Sequence, residues 1–188
     1  MKFAKDFAWG VATAAYQIEG GAFEADKGLN GWDVGSMTPG RIFEGHQGHV
    51  ACDHYHKFKE DVALMKSLGI KNYRFSVNWA RLIPEGAGKV SEDGKRFYRE
   101  LLEELKGAGI TPWMTLFHWD YPYALYLKGG WLNPESPLWF EEYAKTIATL
   151  FGDLCDHYIL VNEPQCFIEI GHYQGTHAPF LRLSRKDS

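Results

Sequence analysis

Ile70-Lys-Asn-Tyr-Arg-Phe-Ser-Val77 is the stretch of sequence that decides the fold. It has the length and the apolar content of a β-strand. The segment before it, Asp53–Leu68, repeats apolar residues at helical spacing. Gly69 stands between the two, at the position where a left-handed residue closes a helix. Helix, glycine and strand therefore follow one another as one unit.

The same unit occurs twice more along the chain. Gly109 and Gly152 each end a run of apolar residues at helical spacing and precede a second apolar run. Ser136 and Pro137 have the residue types of an N-cap and of a helical first turn. The predicted helices cover Ser91–Ala108 and Ser136–Phe151, and the predicted strands after them cover Ile110–Phe117 and His157–Val161.

A sheet of parallel strands follows from this repetition, because βα units place consecutive strands side by side with helices on the faces. Phe7–Thr13 is the first of the four predicted strands, and an irregular glycine-rich stretch, Gly20–Val50, precedes the first long helix. Four units fit either an open doubly wound sheet or part of a closed (β/α)8 barrel. A barrel usually needs about 250 residues, whereas this chain has 188 and shows no convincing helix after its fourth strand.

The composition is that of a globular protein, with 45% hydrophobic, 15% aromatic and 23% charged residues. Disordered, collagen-like and low-complexity chains are excluded. A net charge of −4 gives no reason to expect nucleic acid as a partner, and no apolar run approaches the length of about 20 residues that crosses a bilayer. We expect a cytoplasmic protein, because the N-terminus lacks a signal-peptide pattern and Cys52, Cys155 and Cys166 lack the spacing of a disulfide framework.

Polar and aromatic residues suited to ligand binding collect where the predicted strands end. They are Gln17 after the first strand, Arg74 within the second, His118 and Trp119 after the third, and Asn162 and Glu163 after the fourth. The carboxyl-terminal edge of parallel strands is where α/β proteins carry their sites. Taken singly, Arg74 also fits a structural ion pair and His118 a buried core residue. Four strand ends that all carry such residues indicate a site.

These residue types suit a sugar. Amide and imidazole groups can bond neighbouring hydroxyls, tryptophan faces can pack on a pyranose ring, and Glu163 supplies a proton donor. Hydrolysis of a glycosidic bond needs two carboxyl groups, one to protonate the leaving oxygen and one to attack carbon or activate water. Glu163 is the one carboxylate in a convincing position.

Six collinear motifs carry a more specific signal. They are Phe7-Ala-Trp-Gly-Val-Ala-Thr-Ala-Ala-Tyr-Gln-Ile-Glu-Gly20, Gly48-His-Val-Ala-Cys-Asp-His-Tyr-His56, Tyr73-Arg-Phe-Ser76, Phe117-His-Trp-Asp120, Gly129-Gly-Trp-Leu-Asn133 and Asn162-Glu-Pro164. With these motifs the sequence resembles glycoside hydrolase family 1, the β-glucosidases and their relatives, from about Phe3 to Pro179. The resemblance implies a (β/α)8 barrel that hydrolyses β-linked glycosides with retention, and it implies no cofactor.

The resemblance also implies roles for the residues at the strand ends. Glu163 corresponds to the general acid/base, and Asn162 corresponds to the residue that holds the sugar 2-hydroxyl. Gln17 and His118 correspond to residues that bind hydroxyls on the far side of the glycone. Trp119 corresponds to a residue that lines the same pocket.

The nucleophile is where the sequence departs from the family pattern. In the family it lies in a Glu-Asn-Gly motif on a strand of the second half of the barrel, where Arg74 would support it electrostatically. These 188 residues contain no Glu-Asn-Gly motif, so we expect the isolated chain to be inactive. Smaller departures at Tyr121, Tyr123 and Gln165 change residues of the pocket wall and of the aglycone side.

Three hypotheses are open at this point. In the first, residues 1–188 are the N-terminal half of a barrel that a complementary C-terminal half completes around a β-linked glucoside. In the second, the chain is a non-catalytic half-barrel, natural or engineered, whose open edges pair with a second copy. In the third, Asp53-His-Tyr-His56 holds a metal; this spacing at a helix start does not place the three side chains on one face, so no metal is expected.

Overall fold

Four parallel strands form one sheet in the order in which they occur along the chain. The computed structural model describes residues 2–184, so residue 1 and residues 185–188 of the predicted domain lie outside it. The strands are β1 (Val11–Ala12), β2 (Asn72–Ser76), β3 (Thr111–Phe117) and β4 (Tyr158–Val161). Each pairs in parallel with the next, which confirms the predicted parallel α/β class. A sequential order is that of a barrel wall, whereas doubly wound sheets reverse their order at a switch point.

Helices connect the strands, and the three long ones are those that the apolar periodicity predicted. Within residues 2–184 the α-helices are α1 (Ala15–Ile18), α2 (Gly31–Met37), α3 (His54–Ser67), α4 (Trp79–Leu82), α5 (Glu92–Ala108), α6 (Tyr123–Tyr126) and α7 (Ser136–Phe151). Two 3₁₀ turns (Phe43–Gly45 and Gly130–Leu132) and one π-helix (Cys166–Gln174) accompany them. None of these helices combines the length and the apolarity that crossing a bilayer requires.

The ends of the long helices show why the predicted boundaries hold. The backbone φ is 73° at Gly69 and 71° at Gly109, in the left-handed region where glycine avoids steric strain. Ser91 caps α5 and accepts a backbone N–H of the first turn at 2.9 Å. The predicted N-cap Ser136 is wrong by one residue, because α7 begins at Ser136 itself. Its hydroxyl donates to the Trp131 carbonyl instead, at 3.4 Å.

The first strand is shorter than the predicted Phe7–Thr13. Its two residues pair with β2, and no other described strand lies on the opposite side of β1. Because β1 pairs with β2 alone, only the residues that lie opposite β2 are held in strand geometry. The residues before Val11 are therefore not part of the sheet. Phe3, Phe7 and Trp9 instead form an exposed aromatic cluster, with ring centroids 4.6 to 4.8 Å apart.

Two segments predicted to lack helices contain them. The glycine-rich stretch Gly20–Val50 includes α2, which Asn30 and Asp33 close with a reciprocal capping box of two 2.9 Å hydrogen bonds. The segment after β4 forms the π-helix, whose wider turn moves its apolar residues away from the α-helical period. Its Phe167 ring packs on Phe117 of β3, with centroids 5.2 Å apart.

The core lies between the sheet and the helices α3, α5 and α7. Trp79 and Tyr143 are fully buried there, and their rings stack nearly parallel with centroids 4.3 Å apart. The Tyr143 hydroxyl donates to the Leu116 carbonyl of β3 at 2.8 Å. Burial of such aromatic side chains stabilises the packing of α7 on the sheet.

A buried ion pair joins the segment after β1 to the helices after β2. Arg81 Nε donates to Glu19 Oε2 at 2.9 Å, and both side chains are at most 4% exposed. The Tyr98 hydroxyl donates to Glu19 Oε1 at 2.6 Å, and Arg81 Nη2 donates to the Gly20 carbonyl at 2.7 Å. These hydrogen bonds offset the cost of removing both charges from water.

Replacement of Arg81 tests this pair. Arg81→Met leaves the Glu19 carboxylate buried without its counter-ion, and we expect the free energy of unfolding to fall by about 3–5 kcal/mol. Arg99→Met is the matched control, because Arg99 pairs with Asp153 at the surface and such pairs contribute at most about 1 kcal/mol. Urea denaturation measures both, and equal losses in the two variants would contradict the assigned role of the buried pair.

Candidate active site

The strand ends bring five of the six predicted site residues into one hydrogen-bonded group. Asn162, the first residue after β4, is its centre and is 8% exposed. Its Oδ1 accepts from Arg74 Nη2 at 2.6 Å, and its Nδ2 donates to His118 Nε2 at 3.2 Å and to Glu163 Oε2 at 3.3 Å. Its carbonyl oxygen accepts from Trp119 Nε1 at 2.9 Å. One amide side chain thus connects residues of three strands.

Gln17, the sixth predicted residue, lies on α1 and is exposed. It forms no hydrogen bond with the other five within residues 2–184. The N-terminus of α1 is held in place by β2, because the Ala15 N–H donates to Ser76 Oγ at 2.7 Å. Gln17 therefore stands at the same end of the sheet as the Asn162 group but is not part of that group.

His118 is neutral near pH 7. Burial, together with the positive charge of Arg74, lowers its pKa from 6.5 to about 4, although the Glu163 carboxylate acts in the opposite direction. Because Nε2 accepts the Asn162 amide hydrogen, the proton of the neutral ring lies on Nδ1. That Nδ1 is buried and has no hydrogen-bond partner among the described residues, so its N–H is an unpaired donor inside the site.

Two residues of the group have a strained backbone. The φ angle is 73° at Trp119 and 43° at Glu163, in a region that non-glycine residues rarely occupy. Such conformations cost about 1–3 kcal/mol each and occur preferentially at functional sites. They turn the chain sharply after β3 and after β4 and thereby direct the indole and the carboxylate.

Glu163 is exposed, in contrast to the asparagine beside it. The chain turns directly after it, and the Cys166 N–H donates to the Glu163 carbonyl at 2.9 Å. The thiol of Cys166 is free, as are those of Cys52 and Cys155. Among the described residues, Glu163 is the one carboxylate bonded to the Asn162 group.

Asp120 is a buried carboxyl group that belongs to the Phe117-His-Trp-Asp120 motif but received no predicted role. It follows Trp119 and is fully buried. Burial and the nearby Glu19 carboxylate raise its pKa to about 7, against the opposing effect of backbone N–H groups and Lys27. Neither carboxyl oxygen accepts a well-formed hydrogen bond within residues 2–184. Its position directly after a strand end marked it as a candidate, but the sequence did not show that it is buried.

The two histidines of Asp53-His-Tyr-His56 form hydrogen bonds with carboxylates. His56 contacts Asp53 at 2.6 Å and Glu24 at 2.8 Å, and His54 contacts Asp61 at 2.6 Å. No group of three or more His, Cys, Asp or Glu side chains able to hold a metal is found in the part of the chain that the structure describes.

The pKa of His118 can be measured directly. We expect its imidazole resonances to titrate with a midpoint at about pH 4. The unfolded chain takes up this proton near pH 6.5 and the folded chain only near 4, so the free energy of unfolding should decrease as the pH falls through that window. His118→Gln should lack this part of the pH dependence. A midpoint near 6.5 would show that His118 is neither buried nor influenced by Arg74.

Known proteins that are similar in sequence to this chain include several beta-glucosidases. Beta-glucosidase A of Thermotoga maritima is 47% identical over 181 residues, which are 96% of this chain and 41% of that protein. Beta-glucosidase A of Acetivibrio thermocellus is 49% identical over 96% of this chain and 40% of its own length. The chain therefore spans about two fifths of the relatives that it matches.

A solved structure gives the same relation in three dimensions. The beta-glucosidase from Thermotoga maritima in complex with castanospermine superposes with a TM-score of 0.95 and covers 97% of this chain, which matches 41% of that structure. The sequence model of glycosyl hydrolase family 1 matches residues 1–187. The four-stranded sheet is thus part of a (β/α)8 barrel, and the chain belongs to glycosyl hydrolase family 1.

Proposed function

We propose that this chain supplies the acid/base half of a retaining β-glucosidase-like site, with Glu163 as the general acid/base. The observation that carries the proposal is the Asn162 amide, which hydrogen-bonds to Glu163 and is itself held by Arg74. Membership of the family supports the same assignment. The proposed substrate is a β-linked glucoside or a related glycoside.

The roles of the other residues follow from their chemistry. Asn162 would bond the sugar 2-hydroxyl, a contact that strengthens in the oxocarbenium-like transition state. His118, neutral and with a free Nδ1–H, and the exposed Gln17 would bond hydroxyls on the far side of the sugar. Trp119 would form the wall against which the ring packs. None of these contacts requires a charged group.

The proposed reaction is a double displacement. Glu163 protonates the glycosidic oxygen as the bond to the anomeric carbon breaks, and a second carboxylate attacks that carbon to give a covalent glycosyl-enzyme. Glu163 then removes a proton from water as the water displaces the second carboxylate. Arg74 lies within reach of Asn162 and would stabilise the negative charge of that second carboxylate.

We propose that the second carboxylate comes from a complementary C-terminal half. The 188 residues contain no Glu-Asn-Gly motif, and the relatives are more than twice as long. Both edges of the sheet are open within residues 2–184: Leu160 on β4 is 58% exposed, and Val11 on β1 is 39% exposed. On this proposal, residues 1–188 are one half of a domain and are inactive alone.

Complementation tests the proposal. The chain is co-expressed with the part of beta-glucosidase A from Thermotoga maritima that follows the matched region, and hydrolysis of an aryl β-glucoside is measured. We expect activity from the pair and none from either part. Glu163→Gln should lower kcat by about 10²–10⁴-fold, the usual contribution of a positioned acid/base.

Glu103→Gln is the control, because Glu103 is exposed on α5. It should leave kcat unchanged. Failure of every complementation, or a Glu163→Gln pair as active as the parent, would overturn the assignment.

Self-association is the second candidate, and the same open edges favour it. An exposed parallel edge invites another strand, and two copies related by a two-fold axis would close the sheet without a nucleophile. This candidate is a non-catalytic half-barrel, whether natural or engineered.

Light scattering distinguishes the candidates. Self-association predicts a mass twice that of the 21.5 kDa chain. Leu160→Lys, which charges the edge at β4, should return the chain to a monomer. Leu138→Lys, at a residue 63% exposed on α7, should not. A monomer of the parent chain at every concentration excludes self-association.

A further inference from the structure

The guanidinium of Arg74 is held along one edge by two acceptors. Its Nε donates to Thr115 Oγ1 at 2.9 Å, and its Nη2 donates to Asn162 Oδ1 at 2.6 Å. The Nε–H and one Nη2–H point to the same side of the planar group. Two bonds on that side fix the orientation of the plane, whereas one bond would allow it to rotate.

Thr115 is itself rigid. It is fully buried on β3, and its carbonyl accepts the Val77 N–H at 2.9 Å. It stands opposite Ser76, two residues beyond Arg74, and therefore on the same face of the sheet as Arg74. Its β-branched side chain has few rotamers, so the hydroxyl has a defined position.

The opposite side of the guanidinium is uncommitted. Arg74 Nη1 forms no hydrogen bond with any residue in the range 2–184, and Arg74 is not fully buried. Asn162, which Arg74 holds in place, hydrogen-bonds in turn to His118 and to Glu163. The Thr115 hydroxyl thus contacts the site through Arg74. Within residues 2–184 it forms no hydrogen bond with the proposed sugar-binding residues.

We propose that Thr115 is a positioning residue, whose hydroxyl orients Arg74 so that Nη2 holds Asn162 and Nη1 stays free for a negative charge. The catalytic consequence rests on the proposed glycosidase function, whereas the orientation of Arg74 does not. Thr115→Val keeps the shape of the side chain and removes the acceptor. Thr115→Ser keeps the acceptor.

The first test is made by NMR on the chain itself. In Thr115→Val, hydrogen exchange of the Arg74 Nε–H should become about tenfold faster or more, since about 1.4 kcal/mol of a charge-assisted bond corresponds to tenfold. The pKa of His118, which Arg74 helps to lower to about 4, should rise toward 6.5 as the guanidinium moves. Thr115→Ser should restore both values. Thr149→Val, at an exposed residue of α7, should change neither.

A cycle with Arg74→Lys excludes a general loss of packing. Lysine lacks the planar edge, so Thr115→Val should have no further effect on His118 in that background. The proposal would be overturned if Thr115→Val changed the pKa of His118 equally with arginine or lysine at position 74. An unchanged exchange rate of the Arg74 Nε–H in Thr115→Val would also overturn it.

The second test uses the complemented enzyme. Thr115→Val should lower kcat about tenfold with a smaller change in KM, and Thr115→Ser should recover the loss; an unchanged kcat would refute the catalytic part. If no complemented pair is active while the exchange and titration results hold, the proposed function fails and the orienting role of Thr115 stands.

Discussion

The hydrogen bond between Arg74 and Asn162 is the constraint on which the candidate site depends. Neighbouring strands lie about 4.8 Å apart, so β2 and β4 are separated by about 10 Å with β3 between them. An arginine side chain is long enough to cross β3, and Thr115 on that strand supports it. Asn162 then determines where His118 and Glu163 stand. The Arg74 side chain therefore links the three strands at the site and determines the relative positions of the site residues.

The elements that the sequence predicted well are those with local causes. The helices α3, α5 and α7 have apolar periodicity and recognisable ends, and the three strands between or after them are short apolar runs. The length of β1 has no local cause, because it depends on which neighbours pair with it. The helix α2 does have a local cause, the capping box of Asn30 and Asp33. It was not predicted because the many glycines of Gly20–Val50 indicated an irregular segment.

The site could be predicted as a set of residues but not as a network. Strand-end positions and the family motifs identified the residues around Asn162, since parallel strands end at a common edge. The sequence does not reveal that Arg74 reaches across a strand, because that contact depends on side-chain length and rotamer. Thr115 was missed because it lies inside β3. Asp120 received no role because its burial depends on distant segments.

The left-handed backbone at Trp119 and Glu163 has a consequence for engineering. A screen of variants for heat resistance alone would favour glycine or asparagine at both positions, since each relieves steric strain of about 1–3 kcal/mol. Either replacement would remove the indole or the carboxylate. At these two positions the chain cannot be made more robust without changing the surface that it offers to a ligand.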